Sequence, residues 1–251
     1  MGQWQSRTGE IVFQRRLAAD VGRMGVRIDP VDAARFEPGQ FYMVRTWEGE
    51  PLLPRAMAPI AVEADGLVDI VYRVVGEGTR RMWEAPVGGP CHLIGPLGRP
   101  FTPPGTTVAL VGRGVGITPL LPIARSVRGR GGRVLAFLSA RTPGLLLDTD
   151  RFDELGDLEL HTDTDAPGRL VTEGLARRIA DGEPVQSVVV AGSRRLRRAV
   201  AALAAHHRLE AWEFVEEKMA CGTGFCKGCA VGSRLDLLCQ VGPAIPVEVE
   251  S

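Results

Sequence analysis

The stretch EKMACGTGFCKGC (217–229), completed by LCQVGP (238–243), decides how this chain is interpreted. Its cysteines at positions 221, 226, 229 and 239 have the spacing C-x4-C-x2-C-x9-C. The first three follow the C-x4-C-x2-C pattern of plant-type [2Fe–2S] sites, where four thiolates must converge on two irons. Glycines between them let the backbone wrap tightly and turn N–H groups toward the sulfurs. The segment therefore predicts a [2Fe–2S] cluster on Cys221, Cys226, Cys229 and Cys239.

A zinc site built from the same four thiolates is the alternative. Structural zinc sites usually carry two C-x2–4-C pairs, whereas Cys239 has no such neighbour in the sequence. The fifth cysteine, Cys91, stands alone in PCHLIGP and is predicted to be a small buried hydrophobic residue. The spacing favours iron–sulfur and leaves zinc open.

The composition is that of an ordinary globular protein, with 251 residues, 45% of them hydrophobic and 24% charged. Because 30 basic residues balance 30 acidic ones, nothing indicates binding to nucleic acid or to an anionic membrane. No apolar run is long enough to span a bilayer, and the N-terminus lacks the apolar region of a secretory signal. We therefore expect a cytoplasmic protein that binds neither nucleic acid nor membranes.

The chain divides by pattern into three parts. Residues 1–102 hold short β-type runs separated by glycine and proline, with one helical stretch, GTRRMWEA, and predict a small antiparallel barrel. Residues 103–210 alternate apolar strands with helices, which predicts a doubly wound α/β domain with a parallel sheet covered on both faces. Residues 211–251 have too little apolar surface for their own core, and a metal centre would supply the missing constraint.

Two further motifs indicate phosphate binding. GRGVGITP (112–119) follows the apolar strand TVALV. Glycines at such a turn let the backbone approach a pyrophosphate, although an ordinary strand-to-helix turn is the alternative. In the barrel, Arg55 and the glycine-rich helix start at 76–79 could share one flavin pyrophosphate. A surface arginine and a turn explain these residues equally well.

With these motifs in this order, the chain resembles the electron-transfer subunits of class 1B dihydroorotate dehydrogenases, within the ferredoxin–NADP reductase-like superfamily. The resemblance covers nearly the whole chain. It is carried by YRVVGEGT (72–79), GPLGRPF (95–101), GRGVGITPL (112–120), EKMACGTGFCKGC (217–229) and LCQVGP (238–243). It implies an FAD-binding β-barrel over 1–102, an NAD-binding α/β domain over 103–210 and a small [2Fe–2S] domain over 211–251.

The resemblance also implies which residues bind the cofactors. FAD would be bound by Arg55, Ala56, Met57, Ala58, Val71, Tyr72, Arg73, Gly78 and Thr79, with Arg55 near the phosphates. The floor of the nicotinamide nucleotide site would be formed by Gly112, Gly114, Val115, Gly116, Ile117 and Thr118. Asp163 would bind a ribose 2′-hydroxyl and favour NAD over NADP, because a 2′-phosphate would meet a like charge.

Two positions depart from the family pattern. Ala58 stands where a serine or threonine commonly donates a hydrogen bond to the flavin. Ala191-Gly192-Ser193 stands where Cys-Gly-Pro often lies beside the nicotinamide. We expect these changes to affect flavin reactivity and hydride transfer rather than the fold.

The function implied by the resemblance is electron transfer, without a catalytic acid, base or nucleophile from this chain. NAD(H) would exchange a hydride with FAD, and FAD would exchange single electrons with the cluster. The partner would be an FMN-containing dihydroorotate dehydrogenase, in a heterotetramer. One alternative is a same-fold reductase component for another enzyme, such as an oxygenase or a specialised biosynthetic enzyme. The other is a zinc-stabilised binding module without redox activity.

Overall fold

The computed structural model describes residues 5–165, 171–232 and 235–247. The strands are β1 Gln5–Ala18, β2 Val21–Arg27, β3 Phe41–Arg45, β4 Arg55–Met57, β5 Ala61–Val62, β6 Leu67–Arg73, β7 Pro90–Leu97, β8 Thr107–Arg113, β9 Arg133–Ala140, β10 Asp157–Thr162, β11 Ser187–Ala191, β12 Glu210–Phe214, β13 Ala230–Val231, β14 Asp236–Leu237 and β15 Ala244–Pro246. The α-helices are α1 Pro30–Ala33, α2 Glu77–Glu84, α3 Leu120–Gly129, α4 Thr149–Asp153, α5 Thr172–Ala180, α6 Arg194–His207 and α7 Leu238–Val241. Single 3₁₀ turns cover Gly114–Ile117 and Pro143–Leu145.

The chain forms two compact units. The first contains the described residues of Met1–Phe101 and Val215–Pro243, and the second those of Thr102–Phe214 and Ala244–Ser251. Within 5–165, 171–232 and 235–247, none of the helices combines the length and hydrophobicity that crossing a bilayer requires.

The first unit is built on an antiparallel sheet in the order β4-β3-β7-β1-β2-β6-β5. Strand alternation places Tyr42 and Val44 of β3 and Ile70 and Tyr72 of β6 in one core, because successive side chains of a strand face opposite sides. Cys91 lies in the same core and is fully buried, which confirms its prediction as a small hydrophobic residue. The predicted antiparallel β-architecture is confirmed. In the described residues β4 and β5 are opposite edges of the sheet, so the barrel is open.

The second unit contains a sheet in the order β10-β9-β8-β11-β12-β15, and its first five strands are parallel. The chain runs outward from β8 through β9 to β10, and then crosses to β11 on the other side of β8. This reversal is the topological switch point of doubly wound sheets, beside which ligands bind at the carboxyl ends of the strands. The predicted parallel α/β architecture is confirmed.

The structure distributes the residues after 210 between the two units. Glu210–Phe214 forms β12, which extends the parallel sheet beside β11, and Ala244–Pro246 adds β15 antiparallel to it. The described residues between them, 215–232 and 235–243, pack with the antiparallel sheet. Sequence pattern misses this arrangement, because the short strands at the edge have little apolar periodicity of their own.

Candidate functional site

The cysteine segment, which is the described part of Val215–Pro243, lies directly against the antiparallel sheet. Gly222 has φ +70°, and a Cβ at this position would come within 2.8–2.9 Å of Met43 and Leu97. Further along, the backbone N–H of Arg99 donates to the carbonyl of Gly242 at 2.7 Å. Gly222 therefore lets the segment approach the sheet where a side chain would hold it away, and the Gly242 carbonyl ties its other end to the sheet unit.

Backbone N–H groups in this segment point at the sulfurs, as the glycine spacing predicts. The donor-to-sulfur distances are Thr223 to Cys221 3.4 Å, Cys226 to Cys221 3.4 Å, Gly224 to Cys239 3.1 Å, Gly228 to Cys226 3.4 Å and Cys239 to Cys229 3.5 Å. Such N–H groups stabilise negative charge on thiolates, and they help to set the potential of a cluster.

The same contacts separate the thiols by acidity. Burial opposes ionisation of Cys221, but the N–H groups of Cys226 and Thr223 outweigh it and lower the pKa of its thiol to about 6. Burial and the neighbouring Cys229 raise the pKa of the Cys239 thiol to about 12. The thiols of Cys221 and Cys239 thus differ widely in pKa. A bound cation would be needed to keep Cys239 deprotonated.

The four thiols are arranged as two pairs. The sulfurs of Cys221 and Cys226 are 3.3 Å apart, and Cys239 donates its backbone N–H to Cys229. Among the described residues, no three His, Cys, Asp or Glu side chains converge on a point suited to a single metal ion. A [2Fe–2S] cluster takes two protein ligands at each iron, whereas zinc needs all four around one centre. The pairing of the sulfurs matches the two protein ligands that each iron of a [2Fe–2S] cluster takes.

The two pairs differ in their exposure to solvent. Cys229 and Cys239 are buried, whereas Cys226 is exposed. Beside Cys226, the side chain of Phe225 is 87% exposed. Lys227, on its other side, has φ +58°, a left-handed conformation that non-glycine residues adopt only at a cost. One end of the cysteine segment thus presents an aromatic ring and a cation to solvent.

Arg55 lies over the first turn of α2. A Cβ at Gly78 would come within 2.2 Å of the Arg55 guanidinium carbon. The guanidinium donates to the Leu53 carbonyl at 2.5 Å and lies 5.6 Å from the centre of the Trp47 ring. No carboxylate of the described residues is paired with it. A guanidinium and a helix N-terminus at one point form an anion site, which fits a flavin pyrophosphate.

The side chain of Thr79 forms hydrogen bonds within the start of α2. Its hydroxyl accepts from the backbone N–H of Val75 at 2.9 Å and of Gly76 at 3.2 Å, and donates to the Gly76 carbonyl at 2.9 Å. The side chain therefore shapes the helix start, and only the backbone at this position remains for a phosphate.

The remaining predicted flavin residues lie on β4, directly after it, and on β6. Ala56 of β4 is opposite Met43, and Ala58 follows the strand. Tyr72 is 2% exposed, and a Cβ at Gly22 would meet its ring at 2.8 Å. Its side chain therefore belongs to the core, so its predicted flavin contact would involve the backbone.

On either side of Tyr72, Val71 and Arg73 face away from that core. Val71 is 3% exposed, and Arg73 pairs with Asp20 at 3.5 Å. Met57, on β4, packs against the core. The flavin contacts of these three residues remain predictions.

In the glycine-rich turn after β8, a different structural requirement explains the glycine at each position. A Cβ at Gly112 would come within 2.6 Å of Ile117, and one at Gly116 within 2.7 Å of the Gly192 backbone, where the turn after β11 approaches. Gly114 has φ +56° and open space beside it. Gly114 is therefore the glycine at which a phosphate could approach the backbone.

The other residues predicted to form the floor of the nucleotide site stabilise the glycine-rich turn. Ile117 is 2% and Thr118 6% exposed, and the Thr118 N–H donates to the Val115 carbonyl at 3.2 Å. Their buried side chains fix the turn from below. Binding of a nucleotide here remains a prediction.

Asp163 directly follows β10, at the carboxyl edge of the parallel sheet. Its backbone N–H donates to the Ala140 carbonyl at 3.2 Å, and its carboxylate lies 2.6 Å from the guanidinium of Arg113. In the sequence Arg113 is only a residue between two glycines, and its pairing with Asp163 does not follow from the motif. The one sequence feature that could have indicated a role for Arg113 is its size and charge in a turn otherwise made of small residues.

Comparisons with known proteins show which proteins this chain is similar to. No protein-family model matches the chain. The electron transfer subunit of dihydroorotate dehydrogenase B (NAD(+)) from Bacillus mycoides is 27% identical over 250 residues, which cover 94% of this chain and 95% of that protein. The subunit of the same name from Bacillus cereus is 28% identical with the same coverage.

Solved structures give the same result for the fold. The NADH-dependent reduced ferredoxin–NADP oxidoreductase is 26% identical with a TM-score of 0.84, covering 95% of this chain and 87% of that one. The cytochrome b5 reductase domain of Ulva prolifera nitrate reductase has a TM-score of 0.67 at 15% identity, covering 84% of this chain and 97% of that one. The chain therefore has the ferredoxin–NADP reductase-like fold and is homologous, over nearly its whole length, to the electron transfer subunits of dihydroorotate dehydrogenase B.

Proposed function

We propose that this chain is an NAD(H)-dependent iron–sulfur flavoprotein component that passes electrons between a nicotinamide nucleotide and a partner oxidoreductase. The observation that carries the proposal is the paired-cysteine segment, which packs on the same sheet unit as the Arg55 anion site. The cofactors supply the conversion of a hydride into single electrons, which no protein side chain can perform.

The chain's own residues bind and orient these groups. Arg55 and the first turn of α2 neutralise and hold the flavin pyrophosphate. The turn at Gly114 offers backbone to the phosphates of the dinucleotide. The cysteines hold the cluster through thiolates that backbone N–H groups stabilise. In this proposal residues 1–102 serve FAD and 103–210 serve NAD(H). Within 211–251, the part that packs with the antiparallel sheet, Val215–Pro243, serves the [2Fe–2S] cluster.

The names of the relatives support a particular partner. Because they are electron transfer subunits of dihydroorotate dehydrogenase B, we infer that the partner is the FMN-containing dihydroorotate dehydrogenase, in a heterotetramer. The proposal also assigns the chain to the cytoplasm, since a reducing compartment keeps cysteines available as thiolates for a cluster. All five cysteines are free of disulfides in the structure.

The proposal is tested by anaerobic purification followed by visible spectroscopy and metal analysis. We expect flavin and iron–sulfur absorption, two irons and one FAD per chain, and bleaching of both bands by NADH. A colourless protein that contains zinc would contradict the proposal. The partner is identified by purifying the native complex, in which an FMN-containing dihydroorotate dehydrogenase should be present.

A same-fold reductase component for a different acceptor is the second candidate. Ala58 favours it, because this position lacks the hydroxyl that the family commonly places beside the flavin. Recovery of an oxygenase or another oxidoreductase in the native complex would select this candidate over the first.

Replacing Phe225 by serine is expected to weaken transfer to the partner protein. A highly exposed aromatic ring beside an exposed cluster ligand is a typical anchor of an interface, and its loss should raise the KM for the partner about fivefold or more. NADH-dependent reduction of a small dye should not change. Serine at Val87, another exposed apolar residue, serves as the control. An unchanged KM for the partner in the Phe225 variant would place the docking surface elsewhere.

A further inference from the structure

The Arg113–Asp163 ion pair bridges two strands that are not neighbours. Arg113 ends β8 and Asp163 follows β10, and β9 lies between them. Since adjacent strands are about 4.8 Å apart, the arginine side chain must cross the carboxyl end of β9 to reach the carboxylate. The guanidinium nitrogen and carboxylate oxygen are 2.6 Å apart, and the two side chains are 29% and 40% exposed. The pair is thus formed at the surface, where a ligand can reach both members.

This edge is where doubly wound sheets bind nucleotides, and the open Gly114 turn begins immediately after Arg113. An acid at the end of a strand in such a sheet accepts a hydrogen bond from a ribose 2′-hydroxyl and repels a 2′-phosphate. Asp163 occupies such a position. Its ability to discriminate between a 2′-hydroxyl and a 2′-phosphate depends on whether a neighbouring cation already neutralises its negative charge.

Positive charge surrounds the carboxylate. The hydrogen bond from Arg113 is the main cause that holds the pKa of Asp163 below its usual value. Burial opposes it, and the charges of Arg113 and Arg141 lower the pKa further. Asp163 is therefore ionised at neutral pH, but its charge is balanced by the arginine that it binds. A guanidinium is also the side chain best shaped to bind phosphate with two parallel hydrogen bonds.

We propose that Arg113 is a specificity-determining residue for the nicotinamide nucleotide, because its guanidinium neutralises Asp163 and reduces the discrimination between NADH and NADPH. The inference rests on the proposed function and goes beyond it, since the acid alone would predict a strict NADH preference. With a ribose hydroxyl, Asp163 is the acceptor. With a 2′-phosphate, Arg113 turns from the carboxylate to the phosphate.

The test uses single variants of the two partners in the FAD-loaded chain. For Arg113→Ala we expect the ratio of kcat/KM for NADH to that for NADPH to rise about tenfold or more, because the acid is freed. For Asp163→Asn we expect the ratio to fall by a similar factor, because the guanidinium is freed. The magnitude is that of one charge-assisted hydrogen bond. Arg113→Gln, which keeps the side-chain length, should behave as Arg113→Ala if the alanine variant folds poorly.

A second readout does not depend on electron transfer. Calorimetry should show that adenosine 2′,5′-bisphosphate binds more weakly to Arg113→Ala and more tightly to Asp163→Asn than to the wild type. Adenosine 5′-monophosphate should respond much less to either change. Arg133→Ala is the matched control, since Arg133 is an ion-paired arginine at the start of β9, on the opposite edge of the sheet. It should leave both readouts unchanged.

The outcomes separate this inference from the proposed function. Nucleotide ratios and probe affinities that stay the same in both single variants overturn the role of Arg113 alone, while reduction by NADH still supports the proposed function. A wild-type chain that binds neither probe and is reduced by neither nucleotide overturns both.

Discussion

Replacing Cys239 by serine is expected to reduce the iron content and to cut electron transfer to the partner protein by more than about tenfold. Loss of a partner that merely orients a metal ligand already costs 10- to 100-fold, so loss of a ligand should cost at least as much. Cys239 is 4% exposed and accepts the backbone N–H of Gly224 at 3.1 Å, so no external thiol can easily replace it. Reduction of a small dye by NADH should largely survive, because it requires only the flavin.

Cys91→Ser is the matched control for this prediction. Cys91 is buried in the core of the antiparallel sheet and is remote in sequence from the cysteine segment. A hydroxyl in this apolar core should lower the free energy of unfolding by about 1–3 kcal/mol and leave the iron content unchanged. If Cys239→Ser keeps its iron–sulfur absorption, the ligand assignment is wrong. If Cys239→Ser loses dye reduction as well as electron transfer to the partner, the cluster maintains the structure of the whole chain.

Local pattern was sufficient to predict the two architectures. Runs such as TVALVG and SVVVAG are apolar throughout because both faces of a parallel strand are covered, and that property is visible in the sequence. The same holds for the antiparallel strands, where Tyr42 and Val44 alternate with residues on the opposite face. The cysteine spacing is equally local, since three of the four thiols fall within nine residues.

Contacts between distant residues could not be predicted in this way. The Arg113–Asp163 pair joins residues 50 positions apart, and it exists only because the strand order places β8 and β10 on either side of β9. Tyr72 illustrates a related limit. Its motif indicates a flavin contact, but the register of β6 against β2 turns its ring onto Gly22 and into the core. Periodicity identifies a strand, whereas pairing and register decide what each side chain meets.

Replacing Arg55 by alanine is expected to raise the Kd for FAD about 10- to 100-fold, because a hydrogen bond between charged groups contributes about 1.5–3 kcal/mol. Arg55→Lys should fall between the wild type and the alanine variant, since lysine keeps the charge but loses the planar fork. Arg45→Ala is the control. Arg45 also lies beside the Trp47 ring, at 5.9 Å, but it donates to the Gly49 carbonyl and is remote in sequence from α2. Fluorescence of the released flavin measures the affinity.

Gly78→Ala tests the same anion site by displacing the Arg55 guanidinium instead of removing it. By helix propensity alone, alanine should stabilise α2 by about 1 kcal/mol relative to glycine. The added Cβ would however meet the Arg55 guanidinium at 2.2 Å and force it away from the helix N-terminus. We therefore expect a chain that is at least as stable to heat in its apo form but binds FAD several times more weakly. If FAD affinity is retained in both Gly78→Ala and Arg55→Ala, the pyrophosphate does not bind at this helix, because the first change displaces the guanidinium and the second removes it.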